Sequence, residues 1–177
     1  MRKRSWTFLL AIVTVAAAVT VYLALKSREM ESRIARSATP TYTYRIVKTY
    51  PHDRDAFTQG LVLDAGILYE GTGRRGHSTV RRVDVATGEI LDVRRLEDRY
   101  FGEGIAVVDD RIMQLTFTSH VGFIYDKRDL SVLGKFTYAT NGWGLAYDGT
   151  NLIMSDGTSQ LEFLDPVSYT HLRAHET

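Results

Sequence analysis

The fold of this chain is decided by three short segments, Gly60-Leu61-Val62, Gly104-Ile105-Ala106 and Gly144-Leu145-Ala146, which recur at intervals of 44 and 40 residues. Each segment opens a unit of short apolar runs separated by turn residues. The third run of each unit closes on a matching pair: Val83-Asp84, Tyr125-Asp126 and Leu164-Asp165. A period of about 40 residues with about four strands per unit is typical of β-propeller blades. The sequence therefore predicts an all-β protein, a β-propeller; an irregular β-sandwich with chance repeats is the alternative.

The same repeat predicts that the propeller is incomplete. A fourth apolar run follows the third in the first two units, at Ile90–Val93 and Val132–Phe136. The third unit is predicted to stop before its fourth strand, so residues 41–166 would hold about three blades, whereas a ring needs about four or more. Tyr42–Lys48 is predicted to be a further strand, of the kind that completes the last blade of a ring.

The last eleven residues, 167–177, break the pattern of the repeat. They resemble the in-frame translation of a transposase adapter used in sequencing libraries. We therefore expect the gene fragment to end near Pro166, with no turn and no strand after it, and the natural protein to be longer. A genuine polar tail is the alternative. If the residues come from an adapter, the i,i+4 spacing of His171 and His175 does not indicate a metal site.

The first forty residues have the features of a targeting segment. Met1–Arg4 is cationic, and Trp6–Leu25 comes next as twenty residues without a charge. This is long enough to cross a bilayer as a helix, and the cationic start favours export of the chain beyond the span. We expect a membrane anchor over 6–25 and a tether to residue 40, with the propeller periplasmic or extracellular. A cleaved signal peptide, for which Ala16–Ala18 gives weak support, is the alternative.

Composition and charge exclude several classes of function. The 177 residues include 22 Lys and Arg, 21 Asp and Glu, and no Cys. A disulfide framework, a thiolate zinc site and a cysteine nucleophile are therefore excluded. The net charge of +1 combines +5 in residues 1–40 with −4 in residues 41–166. The propeller is mildly acidic, so we expect no nucleic-acid partner, because binding phosphates needs a basic face.

Candidate site residues come from equivalent positions in the repeat. The residue before the repeated glycine is Gln59, Glu103 or Trp143 in successive units. Inner strands of a propeller line its central channel, so these three side chains are predicted to converge. Phe57 and Phe101 would add apolar walls, which would desolvate Glu103 and raise the pKa of its carboxyl, as suits a proton shuttle. The alternative is a solvated carboxylate beside a tryptophan that only packs.

The motifs of residues 42–166 carry a family resemblance. The most telling segments, in chain order, are Tyr50-Pro51-His52-Asp53, Ala56-Phe57-Thr58-Gln59-Gly60-Leu61, Leu68-Tyr69-Glu70-Gly71-Thr72-Gly73, Phe101-Gly102-Glu103-Gly104, Gly122-Phe123-Ile124-Tyr125-Asp126 and Gly142-Trp143-Gly144-Leu145. This stretch resembles the glutamine cyclotransferase family, the β-propeller glutaminyl-peptide cyclotransferases of plants and bacteria. The resemblance implies five blades and conversion of N-terminal glutaminyl residues to pyroglutamyl, with release of ammonia.

The resemblance also implies roles for individual residues. Glu103 would shuttle the proton and Gln59 would hydrogen-bond the substrate, while aromatic side chains enclose it: Phe57, Phe101, Phe117 and Trp143. Phe117 stands where the family usually has tryptophan, so an N–H contact is lost there.

The resemblance implies no metal and no cofactor. Gly71–Gly76 has the glycine spacing of a dinucleotide-binding motif, but a strand-like run follows it instead of the helix that such a motif needs. The expected partners are peptides or proteins with N-terminal Gln and, through the N-terminal helix, a membrane; we expect a monomer. The stretch as given is expected to be inactive. A non-catalytic propeller that binds a peptide terminus is the alternative function.

Overall fold

The structure is a computed structural model, and it describes residues 19–30 and 42–172, with side chains through Thr170. The chain divides into two compact units, residues 1–47 and 48–177. In the first unit, residues 19–30 are helical. Residues 6–18 of the predicted membrane span, the cationic start and most of the tether lie outside the described residues. Within the described ranges, no helix is both long and apolar enough to cross a membrane.

The second unit is built from three antiparallel sheets of four strands each. Sheet 1 contains β1 (Thr58–Asp64), β2 (Ile67–Thr72), β3 (Thr79–Asp84) and β4 (Ile90–Arg95). Sheet 2 contains β5 (Gly102–Val108), β6 (Arg111–Thr116), β7 (Val121–Asp126) and β8 (Val132–Thr137). Sheet 3 contains β9 (Leu145–Tyr147), β10 (Leu152–Ser155), β11 (Leu161–Leu164) and β12 (His171–Leu172). In each sheet the strands lie in chain order, as in a propeller blade. The all-β prediction and the repeat of strands are confirmed.

Tight turns at the predicted positions set the register within each sheet. The β1–β2 hairpin closes on the pair Asp64 and Ile67. Between them Ala65 and Gly66 have φ of 47° and 83°. Two successive residues with positive φ give a turn whose twist matches that of the flanking strands. The hairpin register follows from this two-residue loop.

The sheets bury their faces against one another, and their inner strands lie side by side, β5 in contact with both β1 and β9. One apolar cluster fills the space between sheets 1 and 2: Tyr69, Val80, Ile105, Ile112, Phe123 and Tyr125, with others. A second fills the space between sheets 2 and 3: Met113, Leu115, Ile124, Phe136, Leu152 and Met154, with others. Sheet 2 is therefore apolar on both faces, as expected of a blade between two neighbours.

The prediction that the third unit lacks a turn and a fourth strand after Pro166 is wrong. Asp165 Oδ1 accepts hydrogen bonds from the amides of Val167 and Ser168, at 2.9 and 2.7 Å, and so closes a turn. The chain then returns as the two-residue strand β12, which pairs with β11. Tyr169 stacks on Phe136 with ring centroids 4.9 Å apart, which anchors the return. The origin of residues 167–177 stays a prediction, and His175 lies outside the described residues.

The prediction of a strand over Tyr42–Lys48 is also wrong, because residues 42–50 have no regular secondary structure. The side chains of the segment are exposed, Tyr44 at 90 % and Val47 at 85 %. An extended segment becomes a strand only when its backbone groups pair with a neighbouring strand. In the part of the chain that the structure describes, Tyr42–Lys48 makes no such pairing.

Candidate active site

Glycines bring the inner strands close enough to share one site. The amide of Gly104 donates a hydrogen bond to the carbonyl of Trp143 at 2.8 Å. A Cβ at Gly104 would lie 2.5 Å from that same oxygen, and one at Gly60 would lie 2.6 Å from the amide nitrogen of Ile105. These distances are too short for a Cβ atom, so only glycine fits at either position without a shift of the backbone. Gly60 and Gly104, the glycines after Gln59 and Glu103, therefore allow the neighbouring strands to approach.

Gln59 and Glu103 both lie in β-bulges. The pairing register shifts across Thr58–Gly60 in β1 and across Gly102–Ile105 in β5. A bulge adds an extra residue to one strand and re-aims the side chains beside it. The two polar side chains thus leave the regular alternation of their strands at equivalent points of sheets 1 and 2.

The predicted polar residues and the indole meet around one cavity. Its volume is about 390 Å³, and its lining consists of Gln59, Glu103, Phe117, Trp143, Gly144 and Ser155. The convergence of Gln59, Glu103 and Trp143, predicted from the repeat, is confirmed. Phe117 lines the same cavity.

The aromatic residues form a continuous row along the site. Ring centroids are separated by 6.2 Å from Phe57 to Phe101, by 6.2 Å from Phe101 to Phe117, and by 6.3 Å from Phe117 to Trp143. The ends of the row are the most accessible, with Phe57 exposed at 42 % and Trp143 at 47 %. Phe57 and Phe101, both predicted as walls of the site, lie outside the lining of the cavity, and Phe101 reaches it through its contact with Phe117. The guanidinium of Arg74 covers the outer face of Phe57, at 4.7 Å from its centroid.

The carboxyl of Glu103 is desolvated. Burial raises its pKa from an ordinary value of 4.5 to about 7. No hydrogen bond or ion pair within the described residues stabilises the charged form, so desolvation acts unopposed. The predicted upward shift is confirmed, and the carboxyl can gain or lose a proton near neutral pH.

The sequence analysis missed three residues that shape the cavity. Ser155 accepts a hydrogen bond from the amide of Gly144 through Oγ, at 2.9 Å, and lines the wall beside Trp143. Gly157 has φ of 88°, and a Cβ there would lie 2.7 Å from the indole. Both residues belong to the segment Ser155-Asp156-Gly157, at the end of the second apolar run of the third unit, and only the structure places this segment against Trp143.

Tyr138, the third of these residues, holds the backbone of Thr116, the residue before Phe117. Its hydroxyl accepts a hydrogen bond from the amide of Thr116 at 2.8 Å and donates to the carbonyl of the same residue at 2.5 Å. Burial, together with the nearby charge of Glu103, raises the pKa of Tyr138. The hydroxyl thus replaces a strand partner at the end of β6, where Phe117 leaves the sheet. Nothing in the repeat pattern pointed to this role.

Within residues 19–30 and 42–172, no three His, Asp or Glu side chains lie close enough together to hold a metal ion. His52 and His77 contact other parts of sheet 1, and neither lines the cavity of Glu103. The described side chains that line the cavity supply a carboxyl group with a pKa of about 7, an amide, a hydroxyl and two aromatic rings.

The fold defines the class first, a β-propeller-like protein. The β-propeller domain of Cps50 (Swd1) from Myceliophteria thermophila superposes with a TM-score of 0.51 at 10 % identity, over 69 % of this chain and 38 % of that one. At this identity the likeness shows the fold alone. The likeness therefore supports the assignment of the three sheets as propeller blades.

The sequence and the site then define the family. The profile of the glutamine cyclotransferase family matches residues 14–177, and the chain belongs to this family. Glutaminyl-peptide cyclotransferase of Arabidopsis thaliana is 44 % identical over 123 residues, which cover 68 % of this chain and 38 % of the relative. The crystal structure of Myxococcus xanthus glutaminyl cyclase superposes with a TM-score of 0.66 at 33 % identity, over 72 % of this chain and 54 % of that one. The chain thus spans about two fifths of the length of the curated relative.

Proposed function

We propose that the protein is a glutaminyl-peptide cyclotransferase, which converts an N-terminal glutaminyl residue to pyroglutamyl and releases ammonia. The observation that carries this proposal is Glu103, a carboxyl with its pKa raised to about 7 in a cavity lined by Gln59, Phe117 and Trp143. Membership of the glutamine cyclotransferase family supports the same reaction.

The reaction needs one group that both accepts and returns a proton. The α-amine of the substrate attacks the γ-carbonyl carbon of its own side chain and closes a five-membered lactam. The bond from that carbon to the side-chain nitrogen breaks, and ammonia leaves. The amine loses one proton and ammonia gains one, so no proton is consumed overall. Because the attack is intramolecular, proximity is already favourable and the enzyme mainly manages protons and charge.

The ionised form of Glu103 can act as the group that accepts and returns the proton. Its carboxylate accepts the proton of the attacking amine and returns it to the departing nitrogen. A pKa of about 7 lies near the working pH, where proton transfer in both directions is efficient. Among the described residues Glu103 has no ion-pair partner, which leaves its carboxylate free to face the substrate.

The other residues of the cavity fit the binding of a small polar terminus. Phe117 and Trp143 supply apolar walls next to the reacting atoms, and Phe101 backs Phe117. Gln59 provides both a donor and an acceptor for the amide groups of the substrate. Phe117 has no N–H, so it contributes packing only. Ser155 adds a hydroxyl beside Trp143.

We also propose that sheet 1 packs against a further blade and that the complete ring has five. Five apolar side chains on sheet 1 are 40–62 % exposed: Leu61, Leu63, Ile90, Leu91 and Val93. A blade face of this composition suits burial against a neighbouring sheet. The greater length of the relatives provides chain for such blades.

We propose in addition that the protein is exported and membrane-anchored through residues 6–25, and that it acts as a monomer. The uncharged stretch after a cationic start supports this location. Peptides and proteins outside the cytoplasm would then be its substrates.

The test is ammonia release by the full-length natural protein. We expect turnover of a Gln-initiated peptide, with loss of ammonia from the peptide seen by mass spectrometry. A matched peptide that begins with Asn should not react, because its shorter side chain cannot form the five-membered ring. Binding of the Gln peptide without any turnover would instead favour a non-catalytic propeller that holds a peptide terminus.

A further inference from the structure

Sheet 1 contains a buried charged cluster that the reaction does not use. The side chain of Glu70, in β2, is only 1 % exposed. Its Oε1 accepts a hydrogen bond from Thr58 Oγ1 at 2.6 Å and lies 2.9 Å from His52 Nε2. Its other oxygen lies 3.7 Å from Arg81. A buried carboxylate is costly unless it is hydrogen-bonded and paired, and here both conditions are met.

The same cluster fastens the segment that leads into β1. Arg81, in β3, donates a hydrogen bond to Asp53 at 2.7 Å. This bond is the main reason why the pKa of Asp53 is lowered. The segment His52–Thr58 is therefore tied to β2 and β3 at three of its residues: His52, Asp53 and Thr58.

The fastened segment ends at the site. Thr58 stands between Phe57, at one end of the aromatic row, and Gln59, in the bulge. The hydrogen bond from Thr58 to Glu70 fixes the backbone at Thr58, from which the chain continues to Phe57 on one side and to Gln59 on the other. The carbonyl of Phe57 accepts a hydrogen bond from the amide of Gly73 at 2.8 Å, and this bond also holds the backbone of Phe57 against sheet 1.

The residue of sheet 2 that occupies the position equivalent to Glu70 also holds a neighbouring part of the chain. Glu70 pairs with Leu61 across the first two strands of sheet 1, and Gln114 pairs with Ile105 at the matching place in sheet 2. Gln114 is fully buried and donates a hydrogen bond to the carbonyl of Thr79, at 3.1 Å, in the preceding sheet. In both sheets, a buried polar side chain on the second strand therefore binds a neighbouring part of the chain: Glu70 binds Thr58, and Gln114 binds Thr79.

We propose that Glu70 is a positioning residue for substrate binding: through Thr58 it holds Phe57 and Gln59 in place. This inference rests on the proposed cyclase function. A purely structural ion pair would change stability alone, whereas a positioning role also changes the affinity of the folded protein for substrate.

The first experiment uses Thr58→Val in the full-length protein, because this change removes one hydroxyl and keeps the size of the side chain. We expect KM for a Gln-initiated peptide to rise about tenfold, as for loss of a hydrogen bond to a charged group, while kcat changes less than about threefold. Thr58→Ser keeps the hydroxyl and should restore KM. The control is Thr87→Val, which removes a hydroxyl bonded to Asp84 in the β3–β4 turn of the same sheet and should leave KM unchanged.

The second experiment needs no turnover. In Thr58→Val, backbone amide hydrogen exchange should accelerate at Gln59, Gly60 and Gly73, while β7 keeps its wild-type protection. An unchanged KM together with unchanged exchange at these amides would overturn the proposal. If the wild-type protein lacks cyclase activity but the variant shows the local acceleration, the proposed function fails and the fastening of this segment by Glu70 is still supported.

Discussion

The raised pKa of the Glu103 carboxyl suits proton transfer, but it also lowers the stability of the folded protein at neutral pH and above. Burial disfavours its ionised form and raises its pKa to about 7. The unfolded chain ionises this carboxyl near its ordinary value of 4.5, so the unfolded state binds fewer protons between these two pH values. By linkage, the contribution of Glu103 to stability is fully present below about pH 4 and is lost as the pH rises through about 7.

We therefore predict that Glu103→Gln stabilises the full-length protein at about pH 8 and has little effect at about pH 4. The neutral amide fills the same space without the cost of burying a charge. Urea unfolding of both proteins at the two pH values measures the difference. Equal stabilities at about pH 8 would show that the carboxyl is well solvated, which was the alternative interpretation of the sequence.

The repeat revealed three residues of the cavity, and the family resemblance added Phe117. Equivalent positions in successive blades occupy equivalent places, so the residue before each glycine was enough to predict the meeting of Gln59, Glu103 and Trp143. Tyr138 and the cluster around Glu70 could not be found in this way. Their roles depend on which side chains meet across strands and sheets, and the repeat pattern holds no information about those pairs.

At the scale of the elements, the approach of neighbouring inner strands depends on glycine. We predict that Gly104→Ala destabilises the protein by about 3 kcal/mol, because its Cβ would meet fixed backbone atoms instead of a side chain that can move aside. Denaturant unfolding measures this loss.

The matched control is Gly134→Ala in β8. A Cβ there would meet only the end of the Ile124 side chain, at an ordinary 3.6 Å. Because glycine weakens the interior of a strand, this change should stabilise slightly, by about 0.5 kcal/mol. Equal effects of the two substitutions would contradict the account of close strand approach.

The elements that the sequence predicted best were those with turn residues on both sides. Strands β1 to β11 fall within the predicted units, because apolar runs and Gly or Asp turns are local signals. The two errors fall at the ends of the repeat. Tyr42–Lys48 has strand composition but lacks a partner among the described residues, and β12 has weak strand composition but gains a partner in β11. Pairing is a tertiary property, so composition alone could not decide either case.

At the scale of the whole molecule, the sheets are stable only against their neighbours. Both faces of sheet 2 are covered, whereas sheet 1 exposes leucines on the face that carries Glu70. The proposed five-bladed ring would cover this face. The number of blades was not derivable from the repeat period, because the period sets the size of a blade and not how many close the ring.

Two leucines of equal exposure test this closure. Leu61 is 53 % exposed on β1, and Leu133 is 55 % exposed on the outer strand β8. In the full-length protein, Leu61→Asp should cost about 3 kcal/mol, because a charge would be buried between blades, and Leu133→Asp should cost less than about 1 kcal/mol. Thermal or denaturant unfolding of the pair measures the contrast, and equal costs would argue against a blade packed on sheet 1.

The central claim is that Glu103 shuttles the proton in cyclisation, and the pH dependence of kcat tests it most directly. Because the carboxylate is the active form, kcat of the full-length protein on a Gln-initiated peptide should rise with pH and level off above about pH 8, with an apparent pKa near 7. In Glu103→Gln this rise should disappear and kcat should fall by about 100-fold or more, with the peptide still bound. A variant that keeps the wild-type kcat and the same pH profile would contradict the claim.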